Sequence, residues 1–265
     1  MTNSAAEHAG TPAATLAAAS LLGSPRGGGP HAGAQGRSTK VPAGSGLRIG
    51  VLALQGDFRE HLRTVIDLGA EGIPVRRPAE LAHLDGLIIP GGESTTIDKL
   101  ARAFGVTDPL RESIRAGLPV YGSCAGMILL ADRIADPATD LAGNPQQTFG
   151  GLDITVRRNA FGRQRESFET DLLFESLDFS ATEDGVAPVH AVFIRGPWVE
   201  QAGPEVQVLA RIEPSPESHP AESAPGAARI VAVRSGPLLA TSFHPEVTGE
   251  KRIHELFIHM IRGEA

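Results

Sequence analysis

Residues 119–130 read Pro-Val-Tyr-Gly-Ser-Cys-Ala-Gly-Met-Ile-Leu-Leu, a β-prone apolar run that passes through Gly-x-Cys-x-Gly into an apolar helical run. That order describes a strand, a turn and a helix with the cysteine at the bend, where a nucleophile is held exposed in a strained elbow. Gly122 and Gly126 flank Cys124 because so tight a turn has no room for side chains beside it. The helix that follows points its free N–H groups and the positive end of its dipole back at the sulfur, and the N–H of Ala125 becomes an oxyanion donor. Cys124 is the only cysteine in the chain. A lone cysteine between a strand and a helix also serves as a small buried thiol, so its partners must decide between the two roles.

The 265 residues are 41% hydrophobic and 21% charged, which suits a globular protein with one large α/β domain. A formal net charge of −7 argues against nucleic acid or an anionic membrane as partner, since both are held by basic surface. One cysteine cannot form an internal disulfide, so the core alone must hold the fold, as in a reducing cytoplasm. No apolar run approaches the ~18 residues that cross a bilayer. Residues 1–46 are Ala, Gly, Ser, Pro and Thr with almost no large apolar side chains, and they read as a disordered low-complexity tail or as sequence upstream of the natural start. Gly27-Gly28-Gly29-Pro30 has neither a strand before it nor Lys-Ser after it, which excludes a phosphate loop. The folded domain is expected over residues 47–265.

Residues 47–54 form a β-prone run, Gln55-Gly56-Asp57 turns it, and 58–68 carries Phe58, Leu62, Val65 and Ile66 at helical spacing. Strands follow at 73–76 and 86–90, the latter apolar enough to be buried on both faces. Strands alternating with helices predict a largely parallel sheet flanked by helices in three layers, with the site beyond the carboxyl ends of the strands. Pro90-Gly91-Gly92-Glu93-Ser94-Thr95 leaves the third strand, with Ser94 or Thr95 expected to cap the next helix and Thr95 with Asp98 forming a capping box. Gly-Gly there is a plain tight turn or, from its place at the same sheet edge as Cys124, the source of a second oxyanion N–H at Gly92. A helix is expected at 110–116, a patternless loop at 136–148, and strands at 152–157, 189–194, 206–212, 229–234 and 238–243. Residues 213–227 read as a surface insert, and 249–261 as a final helix with Ile253, Leu256, Phe257, Met260 and Ile261 on one face.

A thiolate enzyme needs a base and a group to orient it. His254 and His259 sit five apart, roughly 140° around a helix where a zinc pair requires four residues and about 40°, so both are expected on the surface and no metal site is read here. In Ser242-Phe243-His244-Pro245-Glu246, extended chain would put His244 and Glu246 on one face, the carboxylate holding the imidazole in one tautomer. Two such residues also occur as an ordinary surface pair. Alongside the cysteine elbow they complete a nucleophile, base and orienter.

These motifs resemble the class I (triad) glutamine amidotransferases, which have a flavodoxin-like three-layer fold. Leu52-Ala53-Leu54-Gln55-Gly56-Asp57, Pro90-Gly91-Gly92-Glu93-Ser94-Thr95-Thr96, residues 158–164 with Ser167-Phe168-Glu169, Val192-Phe193-Ile194-Arg195 and the His244 segment are similar to one branch, the glutaminase subunit of pyridoxal phosphate synthase. The resemblance runs from Leu47 to the C-terminus; residues 1–46, 136–148 and 213–227 depart from the family's compact length.

It implies hydrolysis of L-glutamine to L-glutamate and ammonia, with the ammonia passed to a synthase subunit that builds pyridoxal 5'-phosphate from a pentose phosphate and a triose phosphate, within a large hetero-oligomer. It implies Cys124 as nucleophile, His244 as base and then acid, and Glu246 as orienter. It implies Gly92, Glu93, Ser94, Arg158, Ile194 and Arg195 around the glutamine and Gly92 and Ala125 as oxyanion donors, without a cofactor. Arg158 and Arg195 also fit ordinary ion-pair roles. Another branch with the same triad, such as the glutaminase of imidazole glycerol phosphate synthase, is the nearest alternative, and the 158–164 run argues against it; an inactive regulatory relative or a cysteine hydrolase of a related elbow fold are the remaining alternatives.

Overall fold

The computed structural model describes residues 41–158, 167–213 and 228–265. In chain order these form β1 (Arg48–Leu52), α1 (Phe58–Asp67), β2 (Glu71–Val75), β3 (Gly86–Ile89), α2 (Ser94–Ala103), α3 (Thr107–Arg115), β4 (Val120–Ser123), α4 (Ala125–Leu130), β5 (Ala131–Ile134) and β6 (Leu152–Arg157). There follow β7 (Ser167–Leu172), β8 (Val189–Ile194), β9 (Trp198–Ala202), β10 (Gln207–Ile212), β11 (Arg229–Ser235), β12 (Leu238–Thr241), α5 (Pro245–Thr248) and α6 (Arg252–Arg262).

The main sheet has the order β2-β1-β3-β4-β12-β11-β9-β6-β5, with β10 on β11, and β7 and β8 make a separate two-stranded ribbon. Strands β2, β1, β3, β4 and β12 are all parallel, and the sheet turns antiparallel from β12 to β11. Successive residues of the parallel strands feed opposite faces, as a pleated strand requires. Leu87 and Ile89 pack with α2, α3 and α4, while Ile88 and Tyr121 pack with α1, α6 and the ribbon. Three layers result, with a core on each face of the sheet. Because β2 and β3 lie on opposite sides of β1, the loops after β1 and β3 diverge and open a crevice at the carboxyl ends, the position where such sheets hold ligands.

Several local expectations are corrected. The helix at 94–103 is capped by Glu93, whose carboxylate accepts from the Thr95 N–H, and Asp98 pairs with Arg102 at 2.9 Å instead of forming a capping box. Ile66 is 56% exposed, and His61 takes its expected place on the buried face of α1. His254 is completely buried, not on the surface. Ordered chain includes residues 41–46, which composition assigns to the tail: Arg262 donates to the carbonyls of Ala43 and Ser45. Strands β5, β7 and β9 have no counterpart in the sequence reading. Residues 1–40, 159–166 and 214–227, and the expectations that fall on them, lie outside the described residues.

Candidate active site

Strand β4 delivers Cys124 into the bend with φ 49° and ψ −99°, a left-handed conformation that a non-glycine residue adopts only when its surroundings impose it. Its surroundings do. The Cys124 N–H donates to the Thr241 carbonyl at 2.7 Å, tying the elbow to the end of β12. A Cβ on Gly126 would stand 2.2 Å from the Ile89 carbonyl oxygen, and one on Gly122 would stand 2.5 Å from the Gly126 backbone. The two flanking glycines are therefore set by backbone contact on both sides of the turn.

His244 is the residue before α5, and Pro245 starts that short helix, so Glu246 lies in its first turn. The extended-chain reason for their pairing is thus corrected: the helix start folds Glu246 back, and its Oε1 lies 2.8 Å from His244 Nδ1. Both side chains are buried, and the His244 N–H donates to the Val192 carbonyl at 3.0 Å, which sets β8 beside the site. A Cβ on Gly91 would stand 2.3 Å from His244 Cε1, so the loop after β3 packs directly on the imidazole.

Burial alone opposes a charge on His244, yet its interactions with Cys124 and with the hydrogen-bonded Glu246 carboxylate outweigh it and raise its pKa to about 11. Burial likewise works to raise the Glu246 carboxyl, and the imidazoles of His61 and His244 outweigh it and bring it down to about 2. A carboxyl whose folded pKa lies below its ordinary 4.5 adds stability above that pH and loses it as pH falls toward 2. Wild-type protein should therefore lose on the order of 3 kcal/mol more than Glu246→Gln across that interval, as read by urea unfolding at each pH. Parallel pH curves for the two proteins would contradict the assignment.

Several of the other predicted residues lie in or next to the loops nearby. Glu93 Oε1 accepts from Arg158 Nη2 at 3.1 Å, while the buried Arg158 Nε has no hydrogen-bond partner among the described residues. Ser94 is buried at the start of α2 and its hydroxyl donates to Gln146 Oε1 at 3.3 Å, so the 136–148 loop packs onto the site's flank. Gly92, at φ 143°, would bring a Cβ to 2.5 Å from Gln55 Oε1, the same oxygen that accepts from the Glu93 N–H. Ile194 ends β8 half-exposed, and Arg195 follows at φ 48°.

The sequence matches the SNO glutamine amidotransferase family over residues 51–263. The chain belongs to that family. A pyridoxal 5'-phosphate synthase subunit PdxT of Pseudarthrobacter chlorophenolicus is 78% identical over 224 residues, covering 84% of this chain and 95% of that one. The PdxT of Renibacterium salmoninarum is 62% identical over 226 residues, 82% of this chain and 92% of its own. A solved structure described as a glutamine amidotransferase superimposes with a TM-score of 0.66 at 43% identity, over 81% of this chain and 98% of its own. PurLQS from Thermotoga maritima, at a TM-score of 0.55 and 16% identity over 82% and 98% of the two chains, shares the fold.

In this SNO family amidotransferase, sequence reasoning missed a set of polar groups behind the triad. Ser123 Oγ lies 3.4 Å from Glu246 Oε2, and Asp57 Oδ2 lies 3.5 Å from His244 Nδ1. His61 Nε2 faces Glu246 Oε2 at 3.5 Å, and its Nδ1 lies 2.8 Å from His254 Nε2. For His61 the signal was present: it precedes Val65 by one helical turn and so shares its buried face. No helix among the described residues is long and apolar enough to cross a membrane.

Proposed function

We propose that this amidotransferase hydrolyses L-glutamine to L-glutamate and ammonia through Cys124, His244 and Glu246, and is the glutaminase subunit of pyridoxal 5'-phosphate synthase. The carrying observation is a cysteine held in the strained elbow after β4 and, just beyond the neighbouring strand β12, a buried imidazole 2.8 Å from a buried carboxylate. The Cys124 sulfur attacks the side-chain amide carbon, and the oxyanion is held by the N–H groups of Ala125 and Gly92. His244 gives its proton to the amide nitrogen, which leaves as ammonia, and a γ-glutamyl thioester remains on Cys124. His244 then takes a proton from water, hydroxide adds to the thioester, and glutamate departs as the thiolate returns. Glu246 holds His244 in the tautomer that presents its other nitrogen to the sulfur.

Glutamine lies among Gly92, Glu93, Ser94, Arg158, Ile194 and Arg195. A guanidinium suits its carboxylate through two parallel hydrogen bonds, and the Glu93 carboxylate suits its ammonium. The names of the PdxT relatives, each a subunit of pyridoxal 5'-phosphate synthase, support a synthase subunit as partner; the two would assemble as a large hetero-oligomer, and the single free cysteine fits a cytoplasmic setting. Glutamate release by the purified chain, alone and with the synthase subunit, tests the reading. Release that rises with the partner and disappears in Cys124→Ala is expected. Turnover indifferent to the partner would keep the glutaminase and overturn the pathway, and no turnover in either state would overturn both.

A further inference from the structure

Behind Glu246 lies a line of buried groups that the hydrolysis does not use. His61 on α1 and His254 on α6 are both fully buried and joined at 2.8 Å through Nδ1 and Nε2, and the Tyr121 ring packs edge-on against each. The remaining nitrogen of His61, Nε2, has no hydrogen-bond partner among the described residues, yet Glu246 Oε2 stands only 3.5 Å from it. A buried polar atom left unpaired beside a carboxylate requires a reason. Glu246 has two oxygens: Oε1 meets His244, and Oε2 faces His61 and the Ser123 hydroxyl. Whatever holds Oε2 therefore sets the rotation of the carboxylate, and through it the angle at which Oε1 meets the imidazole.

We propose that His61 is a positioning residue of the glutaminase reaction: its Nε2–H points at Glu246 Oε2 and fixes the carboxylate that orients His244, while His254 fixes the tautomer of His61. The proposal rests on the glutaminase reading above. The proton arrangement is self-consistent. A neutral His61 that donates from Nε2 must accept at Nδ1, which requires His254 to carry its proton on Nε2, 2.8 Å away, and leaves His254 Nδ1, a buried nitrogen without a hydrogen-bond partner among the described residues, unprotonated. Burial favours the neutral form of both rings, lowering the pKa of His61 and bringing that of His254 down to about 3. The other charged groups around His61 are His244, Asp57 and Glu60, and the carboxylates of the last two favour a donor at this position.

The test is a double-variant cycle on glutamine turnover in the assembled enzyme with its synthase partner. His61→Leu removes the donor, and kcat should fall about tenfold, a size usual for coupled groups in contact, with KM within about twofold. His61→Gln places an amide N–H2 where Nε2 stood and should recover most of the loss. In a Glu246→Gln background the same His61→Leu change should cost nothing further, because the carboxylate it positions is gone. Unchanged kcat in His61→Leu, or a loss that multiplies in full with that of Glu246→Gln, would overturn the proposal and leave His61 a packing residue. Should His61→Leu fail to fold, His61→Asn, whose amide is too short to reach Oε2, takes its place in the cycle with the same expectations. Wild-type enzyme that hydrolyses no glutamine would remove the glutaminase reading itself, and the proposal with it.

Discussion

Gly126→Ala is expected to destabilise the protein by about 3 kcal/mol, the upper part of the range for overpacking. The added methyl would lie 2.2 Å from the Ile89 carbonyl oxygen and 3.1 Å from its carbon, and both atoms belong to the backbone at the end of β3. No side-chain rotation relieves such a contact. Relief requires either the start of α4 to lift from the sheet or β3 to shift against β4, its hydrogen-bonded neighbour. For a chain of this size the cost corresponds to a fall in Tm of roughly 6–12 °C, readable by calorimetry. A Tm within error of wild type would mean that the elbow is not packed as described.

Gly91→Ala should give the opposite outcome, with activity lost and the fold kept. Its methyl would lie 2.3 Å from Cε1 and 2.7 Å from Nδ1 of His244, and an imidazole, unlike a strand, turns aside at modest cost. The displaced ring leaves its 2.8 Å contact with Glu246. A misplacement of about 1 Å at a reacting group costs on the order of 10²-fold in rate, so kcat should fall by that factor while Tm moves less than in Gly126→Ala. Equal kcat in wild type and variant would place the base elsewhere. Together the two variants separate what glycine does for the fold at the elbow from what it does for the chemistry in the loop after β3.

The parallel half of the sheet was legible because its strands are buried on both faces, and runs such as Gly86–Ile89 and Val120–Ser123 are therefore apolar without interruption. The remaining strands were legible only in part. Ser167–Leu172 carries Ser, Glu, Thr and Asp because it lies in a two-stranded ribbon with one face to solvent, and Ala131–Ile134 exposes Asp132 and Arg133 at the sheet's far edge. Neither has enough apolar content to stand out.

Residue type and spacing single out Cys124, His244 and Glu246, and the structure places the last two 2.8 Å apart. The physical reason for the last pair was wrong, because Pro245 turns the chain into a helix instead of letting it run extended. His254 was misplaced for a related reason. Its five-residue spacing from His259 argues against a zinc pair but says nothing of burial, whereas its neighbours Ile253, Phe257 and Ile258 show that it rides the buried face of α6. His61 and His254, polar residues on the buried faces of α1 and α6, are the groups gathered behind Glu246.

The sulfur of Cys124 is expected to receive the γ-glutamyl group. An electrophilic glutamine analogue with a diazoketone in place of the amide, incubated with the assembled enzyme, tests this by intact-protein and peptide mass spectrometry. The expected result is one adduct per chain on the peptide containing Cys124, suppressed by glutamine but not by asparagine, absent in Cys124→Ala and slowed in His244→Asn. Labelling that glutamine does not suppress, or that persists on another residue in Cys124→Ala, would contradict it.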